Sequence, residues 1–179
     1  MNKPMLKIIT SGAALLSLST YAENVEVLLT DKLDGNLSAY CLDIKGGGES
    51  VDPANGLQAH TCYSYKGSLG TDQIFDTARF GEGTLYMPVY EVCAEVSSIE
   101  AGATVGLATC DGNDKQQFTF SGEGSITPKN ATGLCFTAGS ETTMGRGGTS
   151  AHQIKTLSLA ECSDDLVAYQ QWRTRASED

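Results

Sequence analysis

QQW, residues 170–172, stands near the end of the chain and has two earlier counterparts, DQIF at 72–75 and QQF at 116–118. In each segment a glutamine comes shortly before an aromatic residue. We interpret the second segment as shifted by one position, so that Gln117 matches Gln73 if the preceding loop is one residue shorter. Most of these glutamines are expected to be structural and to hold loops through backbone hydrogen bonds: Gln73, Gln117 and Gln171. Three copies of one motif predict a structural unit that is used three times.

Two cysteines precede each of these segments. In chain order they form three consecutive pairs: Cys41 and Cys62, Cys93 and Cys110, Cys135 and Cys162. Six cysteines permit about fifteen connectivities, and the repeat favours one disulfide within each unit. Each such disulfide would contribute about 3 kcal/mol under the chain-entropy model. The same turn also recurs between units, at 81–88 and 122–128, and the expected repeats are about 25–83, 84–122 and 123–176.

The pattern within each unit is typical of β-strands. Short runs such as AYCLDI (39–44), VGLATC (105–110) and QQFTF (116–120) are separated by clusters of Gly, Asn, Asp and Ser. Beyond residue 22 no stretch sustains the periodicity of a helix. Three units of about four strands predict an all-β closed or pseudo-threefold barrel, because such an arrangement leaves few exposed sheet edges.

The first 22 residues are typical of a signal peptide. Lys3 and Lys7 precede an apolar run from residue 8 to about residue 18, and Thr20-Tyr21-Ala22 offers small residues before Glu23. This run is too short to span a bilayer, and no later segment is long and apolar enough. We therefore expect a secreted or periplasmic protein without a membrane span, whose mature domain is 23–179. An even number of cysteines fits such an oxidising compartment.

Charge and composition narrow the classes of ligand. After residue 22 the chain has 10 basic and 22 acidic residues, a net charge of about −12. This charge disfavours nucleic acid, whose binding depends on cationic neutralisation of phosphates, and disfavours charge-driven docking on an anionic membrane. The chain has no CxxC motif and two histidines, so a zinc cluster is poorly supported. We expect no metal and no other cofactor.

The CLD motif at 41–43, together with the pair of cysteines and the terminal Q-x-aromatic segment that recur in all three units, resembles the ricin-type β-trefoil lectin family. The resemblance covers about residues 25–175. It implies a β-trefoil with three pseudo-symmetric repeats, each with one intra-repeat disulfide, and a carbohydrate-binding function. Phe75 and Phe118 replace the tryptophan of the family motif, which Trp172 retains; an aromatic exchange of this kind is conservative for a core.

Family members that bind sugar have an Asp just after the first cysteine, an aromatic ring two residues before the second, and an amide near the Q-x-W motif. The resemblance therefore implies one carbohydrate site in repeat one: Asp43, Gln58, His60, Asp72 and Gln73. Asp72 stands where the family usually has Asn, and Gln58 shares a strand face with His60. His60 is expected to be a flat platform under the sugar ring and to titrate near its unperturbed pKa of about 6.5.

Repeats two and three lack this set and are expected to serve the fold only. The positions of the ring, its partner and the carboxylate hold other residues: Ala108, Gly106 and Glu95 in repeat two, and Ala160, Ser158 and Thr137 in repeat three. Near the first site, Tyr63 and Tyr65 are expected to flank the pocket or to pack on the strand. His152 lies in a loop rich in Gly and Ser and is expected to be solvated.

The leading prediction is a secreted lectin for galactose-type glycans. The alternative is an accessory or targeting subunit of a secreted toxin or enzyme complex, in which the trefoil contacts a partner protein subunit. Asp43 and Asp72 together would also suit a cation such as Ca²⁺, but the other ligands of a full shell cannot be identified. As a glycosidase pair they would need a set separation across the scissile bond, which a shallow trefoil pocket rarely provides. We therefore expect no enzymatic activity.

Overall fold

A computed structural model describes residues 23–176 of the 179-residue chain. The predicted signal peptide, residues 1–22, lies outside the described residues. Most regular structure is short β-strand. No helix between residues 23 and 176 has the length and apolarity that crossing a membrane requires.

Strands run through the whole described part of the chain. The first third contains four: β1 Asn24–Leu29, β2 Tyr40–Ile44, β3 Leu57–Thr61 and β4 Phe75–Asp76. The middle third contains four more: β5 Tyr86–Met87, β6 Val92–Val96, β7 Val105–Thr109 and β8 Phe118–Thr119. The last third contains seven: β9 Glu123–Gly124, β10 Thr127–Pro128, β11 Leu134–Ala138, β12 Thr143–Met144, β13 Gln153–Lys155, β14 Leu157–Glu161 and β15 Trp172–Ala176.

The helices of residues 23–176 are single turns or little more. Two are α-helical, α1 Gly145–Gly148 and α2 Val167–Gln170. The others are 3-10 helices: Gly48–Ser50, Pro53–Asn55, Tyr63–Lys66, Thr71–Gln73, Thr77–Glu82, Asp114–Gln116 and Asp164–Leu166. In α1 the φ angles of Arg146 and Gly147 are +52° and +61°, so this segment is a tight turn rather than a regular helix. The expectation of no sustained helix holds for the described residues.

Three hairpins share one register. Cys41 lies opposite His60 in β2–β3, Cys93 opposite Ala108 in β6–β7, and Cys135 opposite Ala160 in β11–β14. In each hairpin a disulfide joins a cysteine on the first strand to the residue that directly follows the second strand: Cys41–Cys62, Cys93–Cys110 and Cys135–Cys162. The predicted all-β fold with one disulfide in each repeat is confirmed.

The two ends of the described chain pair with each other. Strands β1 and β15 are antiparallel, with Val25 opposite Ala176 and Leu29 opposite Trp172. They belong to an eight-stranded sheet of order β12-β13-β3-β2-β1-β15-β9, in which β4 also pairs with β1. This pairing joins the first repeat to the last, and β2 and β4 pair with parts of the other edge of β1.

The aromatic residues of the three repeated segments anchor the core. Phe75, Phe118 and Trp172 are each at most 1% exposed and belong to one buried cluster. The indole N–H of Trp172 donates to the backbone carbonyl of Phe136 at 3.0 Å, and Phe118 packs edge-on against the Phe136 ring with centroids 5.0 Å apart. Because a buried large apolar side chain contributes about 1.5–3 kcal/mol, the repeated motif supplies each third of the chain with a core anchor.

Repeat three contains an extra hairpin that reaches repeat one. Strands β12 and β13 pair with each other between β11 and β14, and β13 also pairs with β3, where Ile154 lies opposite His60. The buried Lys155 anchors this hairpin, because its ammonium group lies 3.1 Å from the Asp34 carboxylate and donates to the Thr142 hydroxyl at 2.6 Å. A buried cation is tolerated when it is paired and hydrogen-bonded in this way.

Candidate functional site

Gln73 connects three parts of repeat one. Its side-chain N–H groups donate to Asp43 Oδ2 at 2.9 Å and to the Thr61 carbonyl at 3.2 Å. Its side-chain oxygen accepts from the backbone N–H of Tyr63 at 2.9 Å. The side chain is fully buried, and all of its bonding groups face protein partners. Gln73 therefore fixes both the carboxylate on β2 and the turn that follows Cys62.

The same arrangement occurs in the other two repeats. Gln116 donates to Glu95 Oε2 and to the Thr109 carbonyl, both at 2.9 Å. Gln170 donates to the Thr137 hydroxyl and to the Glu161 carbonyl, also both at 2.9 Å. In each repeat the glutamine thus joins the residue two positions after the first cysteine to the residue just before the second.

These contacts correct the sequence alignment of the motif. Gln116, not Gln117, is the equivalent of Gln73, and Gln170, not Gln171, is the structural residue of repeat three. Gln117 instead accepts a hydrogen bond from the Lys129 ammonium group at 2.9 Å. The predicted one-residue shift was wrong because each motif glutamine is the last residue of a single helical turn, which aims it into the barrel. A strict Gln-x-aromatic spacing identifies the equivalent glutamine in all three repeats.

Asp43 and Gln58 lie opposite each other in the β2–β3 hairpin. The Gln58 amide donates to Asp43 Oδ1 at 2.7 Å, so each oxygen of this carboxylate accepts one amide hydrogen. Asp43 is 1% exposed, and its burial raises its pKa well above the usual range. The hydrogen bonds from Gln58 and Gln73 oppose that rise, whereas the negative charge of Asp72 adds to it.

His60 is neutral and packed into the strand. The residue is 4% exposed, and this burial lowers its pKa to about 4. Nδ1 lies 2.9 Å from the Thr61 carbonyl, so in the neutral ring this nitrogen carries the proton and donates. Nδ1 is 3.9 Å from Asp43 Oδ2, too far for a hydrogen bond. The expectation that His60 titrates near pH 6.5 is therefore wrong.

Three aromatic rings meet at the mouth of this cluster. The His60 centroid is 5.3 Å from that of Tyr63 and 5.2 Å from that of His152, and the last two are 5.3 Å apart. The His60 ring is thus covered by its neighbours and is not the open platform that the sequence suggested. His152, which was expected to be solvated, is partly exposed, and its Nε2 lies 2.8 Å from the Tyr65 hydroxyl.

Two polar groups of the cluster, the Asp72 carboxylate and Nε2 of His60, have no side-chain hydrogen-bond partner between residues 23 and 176. Within that part of the chain Glu26 Oε2 is the one fully buried side-chain nitrogen or oxygen without a partner, so the free atoms of Asp72 and His60 reach the surface. Burial of Asp72 raises its pKa. These free atoms leave acceptors for a ligand that donates hydrogen bonds.

The structure thus brings together the five residues that the sequence singled out. Asp43, Gln58, His60, Asp72 and Gln73 form one connected cluster at the end of the β2–β3 hairpin, and sequence reasoning missed His152. No local pattern could reveal it, because β13 and β3 are distant in the chain and pair only in the fold.

Comparison with known proteins adds to this geometry. The sequence matches the ricin-type β-trefoil lectin domain at residues 30–145 and again at 81–179. The chain belongs to this lectin family. None of the curated proteins matches it.

Solved structures share the lectin domain's fold. An agglutinin from Abrus precatorius superposes with a TM-score of 0.59 and 18% identity over 90% of this chain and 51% of that one. The β-trefoil lectin of the Vibrio vulnificus hemolysin/cytolysin has a TM-score of 0.56 and 12% identity over 89% of this chain and 98% of that one. The hemolytic lectin CEL-III has a TM-score of 0.55 and 19% identity over 84% of this chain and 29% of that one. The lectin domain spans about half the length of the agglutinin chain. The predicted β-trefoil is confirmed.

Repeat two of the lectin domain is open where repeat one is covered. Gly106 and Ala108 occupy the positions of Gln58 and His60. The Glu95 carboxylate accepts from the Asn113 amide at 2.9 Å, and this hydrogen bond is the main reason why its pKa is lowered. Repeat three likewise has Ser158 and Ala160 at these positions. The strand register thus confirms the equivalences predicted from the sequence.

Proposed function

We propose that this lectin-family protein binds galactose-type glycans through a single site in repeat one, formed by Asp43, Gln58, His60, Asp72 and Gln73. The observation that carries the proposal is that Asp72 and His60 Nε2 have no side-chain partner within residues 23–176 and accompany a carboxylate, Asp43, that two amides hold in place. Repeats two and three have no side chain of this kind opposite their first cysteine, so the proposal assigns them no sugar.

The chemistry of the cluster suits sugar hydroxyls. A carboxylate can accept up to about four hydrogen bonds, so Asp43 retains free lone pairs after binding Gln58 and Gln73. A hydrogen bond from a hydroxyl to a charged acceptor contributes about 1.5–3 kcal/mol when well aligned. A galactoside presents two adjacent hydroxyls and an apolar face, which fits acceptors on the floor and aromatic rings at the mouth.

A hexose needs more room than the observed cluster offers. Asp43 is 1% exposed and Gln73 is fully buried, and the rings of Tyr63 and His152 cover the approach. Binding therefore requires the Tyr63–Lys66 turn or the loop before His152 to shift. A glycine at positive φ follows the turn, Gly67 at +87°, and another lies in the loop, Gly148 at +94°; other residues would be strained at these positions.

A similar structure supports the proposed ligand class. The Vibrio vulnificus structure contains N-acetyl-D-lactosamine, a galactose-containing disaccharide.

Three disulfides support an oxidising location, and we propose that the protein is secreted or periplasmic. A binding role needs no enzymatic activity, and hydrolysis of an aryl galactoside by the purified protein would contradict this part.

Calorimetric titration of the purified protein with lactose tests the site. We expect one equivalent of lactose per chain, loss of detectable binding in Asp43→Asn, and at least about tenfold weaker binding in Asp72→Ala. Asp72 bonds no other side chain, so its removal should leave the free energy of unfolding nearly unchanged. Glu95→Gln is the matched control and should bind lactose like the unchanged protein. Normal binding by both Asp variants would refute the site.

A second candidate is an accessory subunit of a secreted toxin. Its support is that similar trefoils occur in proteins described as hemolytic, and that the chain covers 29% of the hemolytic lectin CEL-III. Val89 and Val167 are 51% and 50% exposed and offer apolar contacts away from the candidate site. Copurification of the secreted protein with a second chain in equimolar amount would favour this role. A monodisperse monomer in the culture supernatant would oppose it.

A further inference from the structure

One cation lies at the mouth of the repeat-one site, and a second lies in the turn that leads to His152. The Lys66 ammonium group is 5.3 Å from the Tyr63 ring centroid and 5.5 Å from that of Tyr65. Arg146 lies in the tight turn of the repeat-three hairpin and is the one Lys, Arg, Asp or Glu residue between Glu141 and Lys155. Neither Lys66 nor Arg146 forms a salt bridge within residues 23–176, although the protein carries 22 acidic residues.

The repeat-three hairpin holds Arg146 near His152. The backbone N–H of Gly145 donates to the His152 carbonyl at 2.8 Å, and that of Ser150 donates to the Gly145 carbonyl at 3.1 Å. The turn is therefore closed on itself at its base. The positive charges of Lys66 and Arg146 both contribute, after burial, to the lowered pKa of His152, which supports their lying on the same side of the site.

The side chains at the mouth of the site differ in chemistry from those of its floor, Asp43, Gln58 and Gln73. The floor has carboxylates and amides, which suit neutral hydroxyls. The mouth has an exposed tyrosine, Tyr65, which is 42% exposed, together with a histidine, an ammonium and a guanidinium group. A guanidinium group binds carboxylate or sulfate oxygens through paired N–H donors, and an ammonium group adds a compact charge.

We propose that Tyr65, Lys66, Arg146 and His152 form a second subsite that holds an anionic group, a carboxylate or a sulfate, on a glycan whose galactose occupies the first. The inference rests on the proposed function. It makes the binding site composite, because repeat one supplies the floor with Tyr65 and Lys66, and repeat three supplies Arg146 and His152. The preferred ligand class is then acidic galactosides rather than neutral ones.

The test compares lactose, sialyllactose and sulfated lactose in calorimetric titrations of the purified protein. We expect both acidic ligands to bind about tenfold more tightly than lactose at low salt, and this advantage to shrink in about 0.5 M salt, where exposed charges are screened. A preference for only one acidic ligand would still support the subsite and would identify its anion as carboxylate or sulfate.

Variants separate the subsite from the galactose site. Lys66→Met with Arg146→Gln should remove the advantage of the acidic ligands and leave lactose affinity unchanged. Arg79→Gln is the matched control, because Arg79 also lies over a tyrosine ring, that of Tyr86 at 5.3 Å, but is paired with Glu82. It should preserve the advantage.

The outcomes distinguish the two proposals. Equal affinity for all three ligands, with lactose binding that still requires Asp43, would overturn the subsite and leave the galactose site intact. An acidic advantage that survives the double variant would also overturn the subsite. Absence of lactose binding, or lactose binding independent of Asp43, would overturn the proposed function on which the subsite rests.

Discussion

Repeats one and two have equivalent glutamines, but the residues around them differ. Gln73 and Gln116 make equivalent bonds to the carboxylate on the first strand of the hairpin and to the carbonyl before the second cysteine. In repeat one the carboxylate is buried beside Gln58 and His60, whereas in repeat two Glu95 lies beside Gly106 and Ala108. The glutamine therefore serves the fold in both repeats, and the repeats differ in the two residues that face the first strand, Gln58 and His60 against Gly106 and Ala108.

The two repeats also differ in what covers them. The repeat-three hairpin places His152 over repeat one, and burial there raises the pKa of Asp43. Repeat two receives no such cover, and hydrogen bonds keep the pKa of Glu95 below its usual range. Both carboxylates are hydrogen-bonded, but their pKa shifts are opposite because desolvation dominates at the buried Asp43, whereas the hydrogen bond from Asn113 dominates at the partly exposed Glu95.

The largest expected effect comes from the shared glutamines. Gln73→Ala, Gln116→Ala and Gln170→Ala should each lower the free energy of unfolding by about 2–4 kcal/mol, because each leaves buried partners unpaired and opens a cavity. Urea denaturation with intact disulfides measures this, and lactose titration should show loss of binding for Gln73→Ala only. Gln117→Ala is the control at about 0.5 kcal/mol or less. An equal cost for Gln117→Ala and Gln116→Ala would contradict the equivalence of the repeats.

Acid should destabilise repeat one through His60. Its pKa is about 4 in the folded protein and about 6.5 when unfolded, so the unfolded state binds the proton more readily. The contribution of neutral His60 to the free energy of unfolding is therefore fully present above pH 6.5. It is lost as the pH falls toward 4, by about 3 kcal/mol in total.

The measurement for this prediction is urea denaturation at pH 7 and pH 4.5 for the unchanged protein and for His60→Gln. The variant should lose less stability on acidification, since glutamine does not titrate. A loss of the same size in both proteins would show that His60 is not the group responsible.

Gly70 makes repeat one sensitive to one added methyl group. A Cβ at this position would lie 2.3 Å from Tyr63 Cδ2 and 3.0 Å from Asp72 Oδ1, so both side chains must move. We expect Gly70→Ala to cost about 1–3 kcal/mol of stability through overpacking and to weaken lactose binding. Gly133→Ala, where a Cβ meets nothing within 4 Å, is the control. Unchanged binding in Gly70→Ala would show that Tyr63 and Asp72 need no fixed position.

The smallest effect on stability should come from rebuilding repeat two. Glu95→Asp, Gly106→Gln and Ala108→His together would copy the repeat-one residues, and a Cβ on Gly106 makes only an ordinary contact, 3.5 Å from the Glu95 carbonyl. We expect stability to change by about 1 kcal/mol or less and lactose stoichiometry to rise from one to two. The added site should bind more weakly because no hairpin from another repeat covers it. Unchanged stoichiometry would mean that these three residues do not suffice.

Much of this architecture was predictable from the sequence. The cysteine pairs predicted the three disulfides because each pair belongs to one hairpin. The strand register also confirms the predicted equivalence of Glu95 and Asp43. The error over Gln117 arose from aligning the motif by an assumed loop length rather than by the spacing from glutamine to aromatic residue.

The sequence by itself determined the repeated unit, its disulfides and its core aromatics, because these depend on residues close together in the chain. The five residues of the candidate site followed from the resemblance to the lectin family, not from spacing alone. Only the tertiary structure decided that His60 is covered and neutral, and that the His152 ring packs beside it. Those facts depend on the pairing of β13 with β3, which joins distant segments and sets their burial, and no local pattern records it.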